Sequence, residues 1–110
     1  MEIKDKIVIE IDFTTTPGAR YRTDGDFSGE QFLEEILLPK FEKAVAGNYK
    51  LLIDLDKVWG YPSSFVSGSF GKLSLAKSSE LVLKHIEFKS DDNPIRLEKV
   101  INEIKSPRKK

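Results

Sequence analysis

The segment from Leu55 to Phe65 holds the residues of this chain best suited to recognition or chemistry. It contains the only tryptophan, Trp59, together with Tyr61 and the adjacent hydroxyls of Ser63 and Ser64. Because it leaves a predicted buried strand and enters a predicted helix, it lies where open α/β sheets bind ligands and partners. The alternative interpretation is structural: a serine caps the helix, and the two aromatic rings cover the edge of the core.

Two carboxylates, Asp54 and Asp56, flank Leu55 at the end of the same predicted strand. Side chains two residues apart in a strand share a face, and paired carboxylates bind metals or share a proton. No other acidic cluster is clearly placed to complete a metal site, and Asp54 interrupts an apolar run, where it could accept a hydrogen bond from a neighbouring loop. We therefore predict no metal site.

His85 and Ser69 raise the question of serine hydrolysis. The G-x-S-x-G motif requires a glycine two residues before the nucleophile and a strand-to-helix turn at the serine. Here Ser67 occupies the glycine position, and Ser69 lies inside a predicted helix. Neither the dinucleotide-binding glycine motif nor the P-loop motif is present. We predict no catalytic residue, no cofactor and no enzymatic activity.

The composition indicates one globular domain. The chain has 110 residues, of which 39% are hydrophobic, with one His and no Cys. The absence of Cys excludes disulfides, cysteine zinc sites and thiol catalysis. The apolar runs are far shorter than a membrane span, and no signal-peptide pattern follows Met1, so we expect a cytoplasmic protein with no membrane partner.

The balanced charge, 18 basic against 18 acidic residues, conceals an asymmetry along the chain. Four basic residues fall in the last six positions, which leaves 14 basic against 18 acidic side chains in residues 1–104, a net charge of −4. An acidic body makes nucleic acid an unlikely partner. We expect residues 1–105 to form one domain and residues 106–110 a flexible basic tail, with contact to an anionic partner as the alternative role of the tail.

The elements that must position these residues alternate between strands and helices. Apolar patterning predicts strands over residues 3–13, 19–22, 50–56 and 81–88, and helices over residues 28–47, 65–76 and 94–105. We expect Pro39 to kink or divide the first helix, and the third strand to be covered on both faces. The order of elements predicts an α/β sandwich, with a mixed sheet of about four strands and helices packed on it.

The sequence resembles the STAS domains of bacterial anti-sigma factor antagonists. In those domains a strand ending in D-L-x-x-V leads to an Asp-Ser-Ser-Gly helix start, and Leu51–Val58 followed by Ser63-Ser64 is similar to that signature. The wider chain is most similar to the STAS-like family of bacterial domains of unknown function. The segments that carry this similarity are residues 18–22, 27–30, 54–64 and 87–94.

The resemblance implies a small regulatory module that binds a protein partner, an ATPase or kinase of the histidine-kinase-like fold. It also implies phosphorylation at Ser63, with Ser64 beside it, although Pro62 stands where the family has Asp and Phe65 where it has Gly. The expected partner-binding residues are Trp59, Tyr61, Pro62, Ser63, Ser64 and Phe65. The alternative is a small enzyme or nucleotide- or anion-binding domain that uses Asp54, Asp56 and the helix start at Ser63 and Ser64.

Overall fold

A computed structural model describes residues 1–108 of the chain. Three strands, β1 (Ile3–Val8), β2 (Lys50–Asp54) and β3 (Ile86–Lys89), form a parallel sheet in the order β1-β2-β3. The predicted α/β class is confirmed. The prediction of a mixed sheet of about four strands is wrong, because the described residues form three strands and every pair is parallel. The predicted tail extends to residues 109–110, which lie outside the described residues.

The described residues also form two long helices and three shorter ones. The long helices, α2 (residues 29–47) and α3 (residues 63–77), each contain one π-helical segment, at Leu33–Leu37 and at Ser67–Gly71 respectively. The shorter helices are α1 (Ile9–Asp12), α4 (Ser79–His85) and α5 (Pro94–Lys105). No helix within residues 1–108 has both the length and the apolar character needed to cross a bilayer.

The sheet is buried on one face. Ile7 pairs with Ile53, and Leu51 pairs with Ile86, and all four side chains lie in the core. On the opposite face Leu52 is only half-buried, between an exposed lysine of β1 and a half-buried glutamate of β3. The prediction that β2 is covered on both faces is therefore wrong, because the side chains alternate between the core and solvent as in any strand with one open face.

The segment at residues 19–22 is not a strand. The backbone carbonyls of Ala19 and Arg20 accept the amides of Gly29 and Glu30 at 2.8 and 2.9 Å, so this segment runs beside the start of α2. The Arg20 guanidinium also donates to the Ser67 hydroxyl at 2.6 Å. The first turn of every helix leaves amides without intrahelical partners. These residues accept hydrogen bonds from such amides of α2, and they do not pair with a strand.

Two predicted strands extend into helical turns. β1 ends at Val8, whose amide donates to the Asp12 carboxylate at 2.7 Å, and the chain then makes the single turn of α1. In residues 81–88, Val82 and His85 are buried at helical spacing within α4. The His85 ring lies 2.9 Å from a backbone carbonyl in the core, so this histidine is structural.

Pro39 does not divide the first long helix. The π-helical segment ends at Leu37, and Pro39 then falls in the first turn of the α-helical segment Leu38–Gly47. Pro39 has no amide to donate to a carbonyl of the preceding turn, and that turn belongs to the π-helical segment, where the regular i→i−4 pattern is already interrupted. The wider π turn thus allows the chain to continue as one helix through the proline.

The helices α2 and α3 approach each other closely through glycines. A Cβ atom placed on Gly29 would lie 2.5 Å from the carbonyl oxygen of Phe65 and 2.9 Å from the carbonyl carbon of Gly68. Only glycine allows two backbones to come this close. The approach brings the rings of Phe32 and Phe65 to 5.7 Å between centroids in the centre of the core.

Candidate functional site

The carboxyl ends of the three parallel strands bring three connecting segments together at one edge of the sheet. The amide of Trp59, in the segment after β2, donates to the carbonyl of Thr15, in the segment after β1, at 2.9 Å. The amide of Lys57 donates to the carboxylate of Asp92, in the segment after β3, at 2.9 Å. This edge is where open α/β sheets place their ligand sites.

Asp56 is the buried centre of this edge. One oxygen accepts the amides of Asp91 and Asp92 at 2.7 and 3.1 Å, and the other accepts the Lys89 ammonium at 2.6 Å. Its side chain is only 8% exposed. Both carboxylate oxygens are therefore engaged in holding the segment after β3 against the segment after β2.

The pKa of Asp56 reflects these contacts. Burial alone raises the pKa, but the Lys89 hydrogen bond and the amides of Asp92 and Asp91 more than offset it, so the pKa falls from 3.8 to about 2. The same hydrogen bond to Asp56, followed by the one to Asp91, raises the pKa of Lys89 above its ordinary value. Asp56 therefore stabilises the fold as a carboxylate.

Asp54 has a similar local role. Its carboxylate accepts the amide of Asp56 at 2.9 Å, which closes the turn at the end of β2, and its other oxygen lies 3.9 Å from the Lys89 ammonium. Both aspartates lie near the Lys89 ammonium and line the same cleft, although Asp56 lies beyond the end of β2. Within residues 1–108, no group of three or more His, Cys, Asp or Glu side chains is placed to hold a metal ion.

The backbone of the segment after β2 is held at several points. The Tyr61 hydroxyl donates to the carbonyl of Leu55 at 3.0 Å, and the Arg96 guanidinium lies 5.4 Å from the centre of the Tyr61 ring. Arg96 also donates to the carbonyl of Trp59 at 3.2 Å. Burial raises the pKa of Tyr61 above its ordinary value, although the charge of Arg96 lowers it in part. The tyrosine therefore remains a neutral hydrogen-bond donor.

The Trp59 side chain projects away from this fixed backbone. Its amide and carbonyl are both bonded, to Thr15 and to Arg96, yet the residue as a whole is 83% exposed. A large aromatic ring on an ordered backbone loses little conformational freedom when a partner covers it. Trp59 is therefore a large, exposed aromatic residue on a fixed backbone.

The two predicted serines begin α3 without capping it. Pro62 occupies the cap position and makes no side-chain cap hydrogen bond, while Ser63 and Ser64 are the first two helical residues. The capping interpretation is therefore wrong for both serines. Ser63 is exposed and Ser64 half-buried.

The predicted surface is only partly accessible. Phe65 is fully buried and its ring packs 5.7 Å from that of Phe32, whereas Trp59, Pro62 and Ser63 face solvent and Tyr61 is half-buried. Phe65 therefore lies in the core below this surface and is not accessible to a partner, contrary to the prediction. We refer to residues 59–64, the accessible part, as the Trp59 loop.

Two clefts flank the segment after β2. A cleft of about 710 Å³ lies between the Trp59 loop and α5, and Ser63 lines it. A second cleft of about 520 Å³ is lined by residues at the ends of the strands and just after them, including Asp54 and Asp56. The structure thus places the aspartates and Ser63 in different clefts, so it does not assemble them into the single anion or nucleotide site of the alternative interpretation.

Sequence reasoning missed two exposed apolar residues, Ile11 and Ile95. They are 76% and 64% exposed, and with Trp59 they are the three most exposed large hydrophobic side chains of the described residues. Each of the three follows a different strand of the sheet. Ile95 was detectable because it falls outside the apolar stripe of α5, whereas the alternating pattern of β1 made Ile11 look like a core residue.

These features define a small α/β domain with a parallel sheet buried on one face and exposed apolar side chains beyond its carboxyl edge. A family model described as a STAS-like domain of unknown function matches residues 28–96, more than half of the chain. The chain therefore belongs to this STAS-like family, as the sequence predicts. Comparison with curated proteins and with solved structures gave no match.

Proposed function

We propose that this STAS-like domain is a non-enzymatic regulatory module that binds a protein partner through the Trp59 loop. The observation that carries the proposal is the 83% exposure of Trp59, whose backbone is bonded at both its amide and its carbonyl. Interface energy concentrates in a few aromatic and arginine side chains, and tryptophan is prominent among them.

The proposed partner is an ATPase or kinase of the histidine-kinase-like fold, with Ser63 as the modified residue. Membership of a STAS-like family supports this choice, because the chain resembles antagonists that are regulated in this way. The local geometry is compatible with it: Ser63 is exposed, it is the first residue of α3, and it lines the cleft beside the Trp59 loop. A phosphate there would add about −1.5 to −2 charge to the docking surface.

Replacing Trp59 by Ala is expected to abolish capture of the partner, because it removes the anchor and leaves the backbone contacts in place. The measurement is affinity purification of the tagged chain from its native cells, with intact-mass analysis of the bait to detect an added phosphate. Leu75→Ala is the matched control, since Leu75 is also an exposed apolar residue, at 43%, but lies near the end of α3. Identical sets of captured proteins for Trp59→Ala and wild type would contradict the proposal.

Replacing Ser63 by Asp is expected to weaken the affinity for the captured partner by about tenfold, because it places a negative charge on the docking surface. Ser63→Ala should bind like wild type, since no hydrogen bond of the Ser63 hydroxyl occurs within the described residues. The measurement is a titration of the purified partner against each variant. Unchanged affinity for Ser63→Asp would contradict regulation at Ser63 and leave docking through Trp59 intact.

A further inference from the structure

The cleft beside the Trp59 loop is lined both by residues of the loop and by residues of α5. One wall is the Trp59 loop with Ser63, and the other is the outer side of α5, where Ile95, Lys99 and Asn102 line it. Its volume of about 710 Å³ falls in the range of sites that enclose a small ligand or several peptide side chains. The exposed side chains of Trp59 and Ile95 give the cleft two apolar contact points on opposite walls.

The charge of the cleft is positive. Arginines 96 and 108 and Lys99 line it, against the single carboxylate of Glu103. Glu103 already accepts the backbone amide of Arg108 at 2.8 Å, and its other oxygen lies 3.8 Å from the Arg108 side chain. For Lys99, no carboxylate within residues 1–108 comes close enough to form an ion pair.

Arg96 contributes positive charge to the cleft, but its guanidinium is not free to form a bidentate hydrogen bond with a ligand. One of its nitrogens donates to the Trp59 carbonyl, and the other is buried, 3.9 Å from the Asp92 carboxylate. It therefore cannot turn a planar pair of donors towards a phosphate, which is how arginine recognises that group. Lys99 presents a point charge at the surface, which suits a single carboxylate beside an apolar side chain.

We propose that this cleft binds an acidic segment of a partner protein, with an apolar side chain of that segment on Trp59 or Ile95 and a carboxylate on Lys99. The inference rests on the proposed docking function and names the chemistry of the docked partner. Charge complementarity supports it, since three basic side chains line the cleft against the one carboxylate of Glu103. A phosphate on Ser63, which lines the same cleft, would add negative charge beside the proposed site of the acidic segment.

The test is selection of a displayed library of random peptides on the intact chain, followed by titration of the enriched synthetic peptides. Binding is followed through the fluorescence anisotropy of a dye on the peptide, so that Trp59→Ala, which removes the only tryptophan of the chain, can be measured in the same way. We expect enrichment of Asp and Glu next to an apolar residue, and affinity that falls as salt rises. Lys99→Glu should weaken these peptides about tenfold or more, and Lys99→Gln should weaken them less.

Lys105→Glu is the matched control, because Lys105 is an exposed lysine of the same helix that does not line the cleft. Enriched peptides without an acidic bias, or equal losses for Lys99→Glu and Lys105→Glu, would overturn the inference. Neutral peptides that need Trp59 but ignore Lys99 would overturn it while leaving the docking function standing. Acidic peptides that need Lys99 but bind Trp59→Ala normally would support the basic cleft and contradict docking through Trp59.

Discussion

Replacing Gly29 by Ala is expected to destabilise the domain by about 3 kcal/mol. The added Cβ would lie 2.5 Å from the carbonyl oxygen of Phe65 and 2.9 Å from the carbonyl carbon of Gly68. Both are backbone atoms, so neither can rotate away as a flexible side chain would. The helices α2 and α3 must separate instead, which loosens the packing of Phe32 on Phe65 in the core.

Gly60→Ala is the matched control for this substitution. A Cβ on Gly60 meets no atom within 4 Å, so the expected change is within about 0.5 kcal/mol. The measurement is urea unfolding followed by circular dichroism, with the midpoints of the two variants compared at equal slope. Equal midpoints for Gly29→Ala and Gly60→Ala would show that the two helices can move apart without loss of stability.

Replacing Asp56 by Ala is expected to cost about 3 kcal/mol of stability, because it leaves a lysine and two backbone amides without their buried acceptor. The amides belong to Asp91 and Asp92, and the lysine is Lys89. Asp91→Ala is the control: its carboxylate also pairs with Lys89, at 3.0 Å, but is 78% exposed, so its loss should cost under about 1 kcal/mol. Similar unfolding midpoints for the two variants would contradict a central role for Asp56.

The same contact predicts a pH dependence. Since the pKa of Asp56 is about 2 in the folded chain against an ordinary 3.8, its stabilisation is complete above 3.8 and is lost as the pH falls towards 2. The stability difference between wild type and Asp56→Ala should therefore shrink over this interval. The comparison with Asp56→Ala is needed because Asp5 also has a lowered pKa and so contributes to the pH dependence of the wild type. Burial raises the pKa of Asp5, but the hydrogen bonds from the Lys6 amide and from Lys40 more than offset this effect. A difference that stays constant down to pH 2 would contradict the assignment.

The pattern of apolar residues predicted an element correctly where it reflects burial. It failed where the spacing of the apolar residues fits both a helix and a strand. The short apolar run identified β2 through its length and composition, and the apolar stripe identified α5 through its single helical period. In residues 81–88, the spacing of Val82 and Ile86 fits a helix as well as part of an alternating strand. The serine at position 78, whose hydroxyl accepts the Leu81 amide, decides for the helix.

Only one part of the candidate site, the segment after β2, was predictable from the sequence. The exposed Trp59 and Ser63 follow from the position of a loop after a buried strand. The opposite wall, with Ile95 and Lys99, depends on where α5 packs against α3 and α4, and no local pattern encodes that arrangement. Tertiary contacts of this kind also explain why Phe65, aromatic and next to the serines, lies in the core.

The all-parallel sheet has a consequence for how the chain reaches its native state. Ile7 pairs with Ile53, and Ile53 with Phe88, so neither strand pair is a local hairpin. Each pairing must close a long segment containing one or more helices before its ladder of hydrogen bonds forms, and parallel pairings of this kind are slow to form. Until then, β1 has no partner strand, and its exposed edge depends on Lys4 and Lys6 to discourage pairing with other chains during synthesis.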